Sequence, residues 1–142
     1  MAIRFDNHDK EFKLKNKRKI ISWIKRIVSN FSKIPGEISI VLTSDNYILE
    51  INNQYLNHNY FTDIITFDYS TETIISGDIF ISIDTVFSNS KKFNTSFNEE
   101  LLRVIIHGIL HLVGFKDKSP KERIEMRLNE DLALNIYNDN DC

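Results

Sequence analysis

Two histidines four residues apart, His107 and His111, lie within the most aliphatic stretch of a 142-residue chain. On an α-helix this spacing stacks two side chains on one face, with Cβ atoms about 5–6 Å apart. Two imidazoles so placed can occupy two corners of a zinc tetrahedron, with Zn–N near ~2.0–2.1 Å. Gly114, three residues beyond His111, permits a sharp reversal of the chain, and Asp117, three residues further, can swing a carboxylate back to the same point. Three protein ligands leave one position open, which marks a catalytic rather than a structural site. A water held at that position would have its pKa lowered to about 7, making it the main candidate for the reacting group.

A bare pair of histidines is weak evidence, since one can be a satisfied core residue and the other a surface one. Burying two imidazoles among aliphatic residues without partners is costly, however. The added glycine and late carboxylate turn the pattern into H-x3-H-x2-G-x2-D, which favours a site for one zinc ion. The spacing repeats that of the metzincin proteases, H-E-x-x-H-x-x-G-x-x-H. Gly108 stands where their glutamate belongs and Asp117 where their third histidine belongs. Loss of the glutamate removes the proton acceptor of ordinary peptide hydrolysis and argues against a protease.

The elements that must hold these residues can be read from periodicity. Leu101 to Val113 is apolar on nearly all sides, which predicts a buried helix opened by Ser96 or Asn98 and closed by Gly114. Ser119-Pro120-Lys121-Glu122 is a capping box that opens a last helix over 120–136. Upstream, Lys17–Phe31 carries a broad apolar stripe at helical period, and Pro35-Gly36 is expected to end it with a turn. Ile3–Asn7, Glu37–Leu42, Thr62–Tyr69 and Gly77–Ile83 read as strands, the last two as an antiparallel hairpin, with Ile3–Asn7 at an edge. A helix over 46–56, capped by Ser44 or Asp45, should turn Ile48, Leu49, Ile51 and Tyr55 inward, and Asp84–Phe93 is a weaker helix candidate. The irregular order of strands and helices indicates an α+β class, with a small mixed sheet of about four strands and about five helices.

Composition excludes several other classes. Length fits one domain over 1–142. The single cysteine, Cys142, allows no internal disulfide and suits a reducing cytoplasm. The opening MAIRFDNHDKEFKLKNKRK has no apolar core region, so no signal peptide is expected, and no window is long and apolar enough for a membrane span. Net charge is −2. Lys10, Lys13, Lys15, Lys17, Arg18, Lys19, Lys25 and Arg26 nevertheless crowd one early stretch, while Glu122, Glu125, Glu130, Asp131, Asp139 and Asp141 crowd the tail. Both runs read as solvated helix faces, the basic one alternatively as a local phosphate-binding patch.

His107-Gly108-Ile109-Leu110-His111-Leu112-Val113-Gly114-Phe115, followed by Asp117, resembles the H-G-x-L-H-L-x-G-Y-D-H signature of the YbeY family of bacterial zinc-dependent endoribonucleases. Ile51-Asn52-Asn53-Gln54-Tyr55 with Thr62-Asp63-Ile64-Ile65-Thr66-Phe67, and Gly77-Asp78-Ile79-Phe80-Ile81-Ser82, resemble that family's L-N-x-x-Y-R … T-D-V-L-S-F and G-D-I-x-I-S segments. The resemblance spans about residues 37 to 135. It implies a small α+β domain with the zinc helix beneath the sheet. It also implies cleavage of single-stranded RNA in the maturation of small-subunit ribosomal RNA, and association with the ribosome or an Era-type GTPase. Two positions depart from the pattern: Asp117 replaces the usual third histidine, and Leu56 replaces an arginine expected to grip a phosphate. His58 or the basic N-terminal helix is a candidate replacement for that arginine. Alternatives to the nuclease are a metal-dependent hydrolase of a non-RNA substrate and a ribosome-associated binding factor with a structural zinc.

Further residues have two readings each. Asp63 is either a proton shuttle or partner of a zinc histidine, or a strand-entry cap. Lys116 and Lys118 flank Asp117 and are either plain surface lysines or phosphate contacts. Asp78 reads as a cap or turn residue, Asn52 as a cleft or cap residue, and Trp23 as core in preference to a base-stacking platform.

Overall fold

The computed structural model describes residues 2–56 and 62–139. The elements run β1 (Ile3–Asn7), α1 (Lys17–Asn30), β2 (Ile34–Thr43), α2 (Asp45–Leu56), β3 (Ile64–Asp68), β4 (Ile74–Ser82), α3 (Ile83–Lys92), α4 (Phe97–Val113) and α5 (Pro120–Asp139). One mixed sheet has the order β1-β2-β4-β3. β1, β2 and β4 are parallel, and β3 returns antiparallel along β4. This is the α+β arrangement, strand and helix numbers included, that the periodicity predicts.

Strand alternation divides the core between the two faces of the sheet. Ile38, Ile40 and Leu42 of β2 and Ile75, Ile79 and Ile81 of β4 join α1, α4 and α5 in the main cluster. Ile65 joins Ile48 and Ile51 of α2 in a smaller one, with Phe67 and Phe80 packed against it. α4 is wedged against β3 and β4 on one side and against α5 on the other, so most of its residues are buried. Ser96 accepts the N–H of Glu99 and caps it. Trp23 of α1 fixes where α5 sits: it is fully buried, donates Nε1–H to the Ala133 carbonyl at 2.8 Å, and meets Tyr137 edge-on.

Three expectations fail, each for a packing reason. Pro35-Gly36 does not turn; it lies inside β2, where the register with β4 shifts between Pro35 and Ile38. The pairing of β1 begins only at Ile38, so Pro35 is flanked by β4 alone, and irregular positions of this kind tolerate a missing N–H. A side chain at position 36 would collide with Ser76 and Ile74, so the glycine serves close strand approach. Tyr55 points outward, 64% exposed, and buried Asn52 takes the inward place. Asp78 is no cap: it sits mid-strand in β4, between Ser39 and Phe67. No helix among the described residues is long and apolar enough to cross a membrane.

Candidate metal centre

The end of α4 builds one side of the site from local rules. The Phe115 N–H bonds to the Leu110 carbonyl at 3.0 Å and the Gly114 N–H to the His111 carbonyl at 3.1 Å. This crossed pair is a Schellman ending, and it requires the glycine's φ of +125°. Phe115 packs edge-on against Phe31, which holds the turn down. The turned chain also aims the Phe115 carbonyl back at His111 Nδ1, 3.0 Å away. Two residues later Asp117 faces the histidines. The capping box beyond it is formed in full, with Ser119 N–H donating to Glu122 Oε1 at 2.9 Å and Glu122 N–H to Ser119 Oγ at 3.1 Å.

The three residues converge. His107 Nε2 and His111 Nε2 are 3.0 Å apart, and each lies 3.2 Å from Asp117 Oδ2. A tetrahedral zinc site places ligand atoms roughly 3.3 Å from one another, so the spacing suits such an ion. Proton positions give a second test of fit. The Phe115 carbonyl can only accept, so His111 Nδ1 carries its proton and Nε2 presents a lone pair. His107 Nδ1 meets Glu130 Oε2 at 2.6 Å, which leaves its Nε2 facing the same point. Two imidazole nitrogens and a carboxylate oxygen thus face each other at close range, an arrangement that a cation stabilises. Among the described residues this is the group of three or more such side chains able to hold a metal ion.

Glu130 is what sequence reading missed. It stands in the acidic run of the tail, yet it is only 4% exposed and not part of a solvated face. Arg103 Nη1 donates to its Oε1 at 2.9 Å, and Arg103 Nη2 to Asp131 at 2.8 Å. Burial alone would push the Glu130 carboxyl up; hydrogen bonds from His107 and Arg103 outweigh this and hold it below the ordinary glutamate range. Burial pulls His107 down, but the Glu130 contact, with Asp117 and Asp63, raises it above its ordinary value. A signal was available. Positions 126, 130, 133, 134 and 137 form one helical stripe, and the other four are buried core residues.

A cleft of about 750 Å³ opens over the three residues, walled by Asn52, Leu56 and Asp63 to Thr66 on one side and by Arg103, Lys118, Arg127 and Glu130 on the other. The Asp63 backbone carbonyl accepts the Ser82 N–H at 2.9 Å, and its side chain lines the cleft. Burial pushes its carboxyl up, opposed by the charge of His107. Glu100, also lining the cleft, is pushed up by burial and by Asp63. Lys118 lines the cleft and Lys116 does not; both are exposed. His58 lies outside the described residues. In the basic N-terminal stretch, Lys10 pairs with Asp84 at 2.6 Å and Lys19 stacks on the Tyr137 ring, while Lys17, Arg18, Lys25 and Arg26 are exposed.

Gly108 faces the sheet. A Cβ there would lie 2.9 Å from Ile64 Cδ1 and 3.0 Å from Ile79 Cγ2. A larger side chain there would have to displace Ile64 and Ile79, so packing as well as sequence disfavours the protease glutamate at this position.

Residues 3–138 match the family model described as Endoribonuclease YbeY. An "Endoribonuclease YbeY" of Parabacteroides distasonis is 51% identical over 136 residues, covering 96% of each chain. One of Flavobacterium psychrophilum is 44% identical over 131 residues, covering 92% of this chain and 94% of the other. The solution structure of a Thermotoga maritima protein superimposes with a TM-score of 0.65 at 26% identity, over 97% of this chain and 93% of that one. With its histidine helix, Schellman turn and mixed sheet in one continuous match, the chain belongs to the YbeY family.

Proposed function

We propose that this protein is a zinc-dependent endoribonuclease that cuts single-stranded RNA in the maturation of small-subunit ribosomal RNA. The observation that carries the reading is the convergence of His107 Nε2, His111 Nε2 and Asp117 Oδ2 at the floor of an open cleft, in a chain of this family. These three residues would hold the zinc. When bound, the ion supplies Lewis acidity toward a phosphoryl oxygen and lowers the pKa of a coordinated water.

The chain's own groups supply the rest. Asp63 lines the cleft, with burial pushing its carboxyl upward, and is the candidate proton shuttle to the departing oxygen. Lys118 meets phosphates at the cleft wall, and Lys116, exposed one residue before Asp117, is a further candidate phosphate contact. Leu56, 41% exposed at the cleft edge, offers an apolar surface where the family pattern has an arginine. The same reading places the protein in the cytoplasm, in contact with the ribosome and an Era-type GTPase.

The test compares zinc-loaded wild type with His111→Ala on matched single-stranded and duplex RNA. Cleavage of the single strand by wild type alone is expected. Intact single-stranded RNA in the wild-type reaction, or equal cleavage by both proteins, would overturn the reading.

A further inference from the structure

An ionised carboxylate in the buried stripe of a helix is expensive unless paired, and an apolar residue of similar volume would pack there without that cost. Glu130 occupies such a place, between Met126 and Ala133-Leu134. Its two oxygens are divided between different tasks. Oε1 takes the Arg103 Nη1 bond at 2.9 Å, with Arg127 more distant at 3.6 Å. Oε2 is left for His107 Nδ1 at 2.6 Å. Arg103 is itself held by Asp131, so the carboxylate is braced from behind and cannot rotate away from the histidine without breaking two charged contacts.

We propose that Glu130, braced by Arg103, is the positioning residue of His107: it keeps the proton on Nδ1, fixes the ring plane, and directs the Nε2 lone pair at the point that His111 and Asp117 share. The inference rests on the reading of that group as a metal site. It reaches further by assigning a residue 13 positions beyond Asp117, on another helix, to the strength of metal binding. A carboxylate on the far nitrogen raises the basicity of the ligating one, and loss of such a partner weakens metal binding by about 10–100-fold.

A plain structural ion pair is the rival, and two variants separate them. Glu130→Gln keeps the shape and removes the charge. The double variant Arg103→Met/Glu130→Leu replaces the buried pair with apolar side chains, a change that folds tolerate well. Zinc affinity is measured by chelator competition on protein shown to be folded, and the His107 Nδ1 proton is followed by NMR in the zinc-loaded state. Positioning predicts a protected Nδ1 proton in wild type, zinc affinity weakened about 10–100-fold in both variants, and loss of that protection in the double variant, which has no acceptor at position 130. Should Glu130→Gln fail to fold, the double variant and the wild-type proton signal decide alone. Affinities within twofold of wild type, or a wild-type His107 without an Nδ1 proton, overturn the proposal and leave the metal site standing. A wild type that binds no zinc overturns both.

Discussion

His107 and His111 face the same point, yet they are held by opposite means. His111 is oriented from within its own helix ending, by a carbonyl four residues away that the Schellman turn delivers. His107 is oriented from another helix, by a carboxylate 23 residues away that depends on α5 docking against α1 and α4. The hydrogen bonds that orient one half of the site are local to the helix and its glycine turn, with Phe31 packed against that turn. The other exists only when the tertiary structure is complete. A ligand set built this way would bind metal tightly only in the folded protein, coupling metal affinity to the packing of the whole domain.

The long-range half of the site is the more vulnerable. Trp23→Ala removes the buried ring that seats α5, with an expected stability loss of about 3–5 kcal/mol by urea denaturation. Zinc affinity should fall with it, although no metal-site residue has changed. An unchanged affinity in the folded fraction would show that His107 does not depend on α5.

The local side is broken at Gly114. An added Cβ meets nothing within 4 Å, so Gly114→Ala carries only the strain of its positive φ, about 1–3 kcal/mol. If the turn relaxes, the Phe115 carbonyl moves away from His111 and zinc binding weakens, while the His107–Glu130 contact persists by NMR. A stability loss with zinc affinity intact would sever the turn from the site.

The smallest effect is in pH. In the metal-free protein, Glu130 lies below its ordinary range, so its pairing contributes stability above about pH 4.5 and is lost as pH falls through the lowered value. His107 lies above its ordinary value, so its contribution is full below about pH 6.5 and is lost as pH rises through the raised value. Stability of the metal-free protein should therefore peak between these limbs, and Glu130→Gln should flatten both. Identical pH profiles for the two proteins would detach His107 from Glu130.

The same contrast explains what could be read from residues alone. His107, His111, Gly114 and Asp117 were legible because a helix and its turn are local, and local geometry follows from spacing. Glu130 was obscured by its acidic neighbours Glu125 and Asp131, since charge alone does not reveal which way a helix face points; the apolar stripe through Met126, Ala133 and Tyr137 does. Pro35-Gly36 misled in the same way. Its turn chemistry is real, but contact with β4 overrides it. Gly108 was legible as a missing glutamate and as part of the H-G-x-L-H pattern, whereas its physical role, close approach of α4 to Ile64 and Ile79, appears once the sheet is in place.

The central claim is that two imidazoles and the Asp117 carboxylate bind one metal ion together. Zinc-edge X-ray absorption of the protein loaded with one equivalent of zinc addresses it most directly. Two imidazole nitrogens and carboxylate or water oxygens are expected at about 2.0–2.1 Å, with one imidazole lost in His107→Ala. A spectrum with fewer than two imidazoles in the wild type, or one that His107→Ala leaves unchanged, would contradict it.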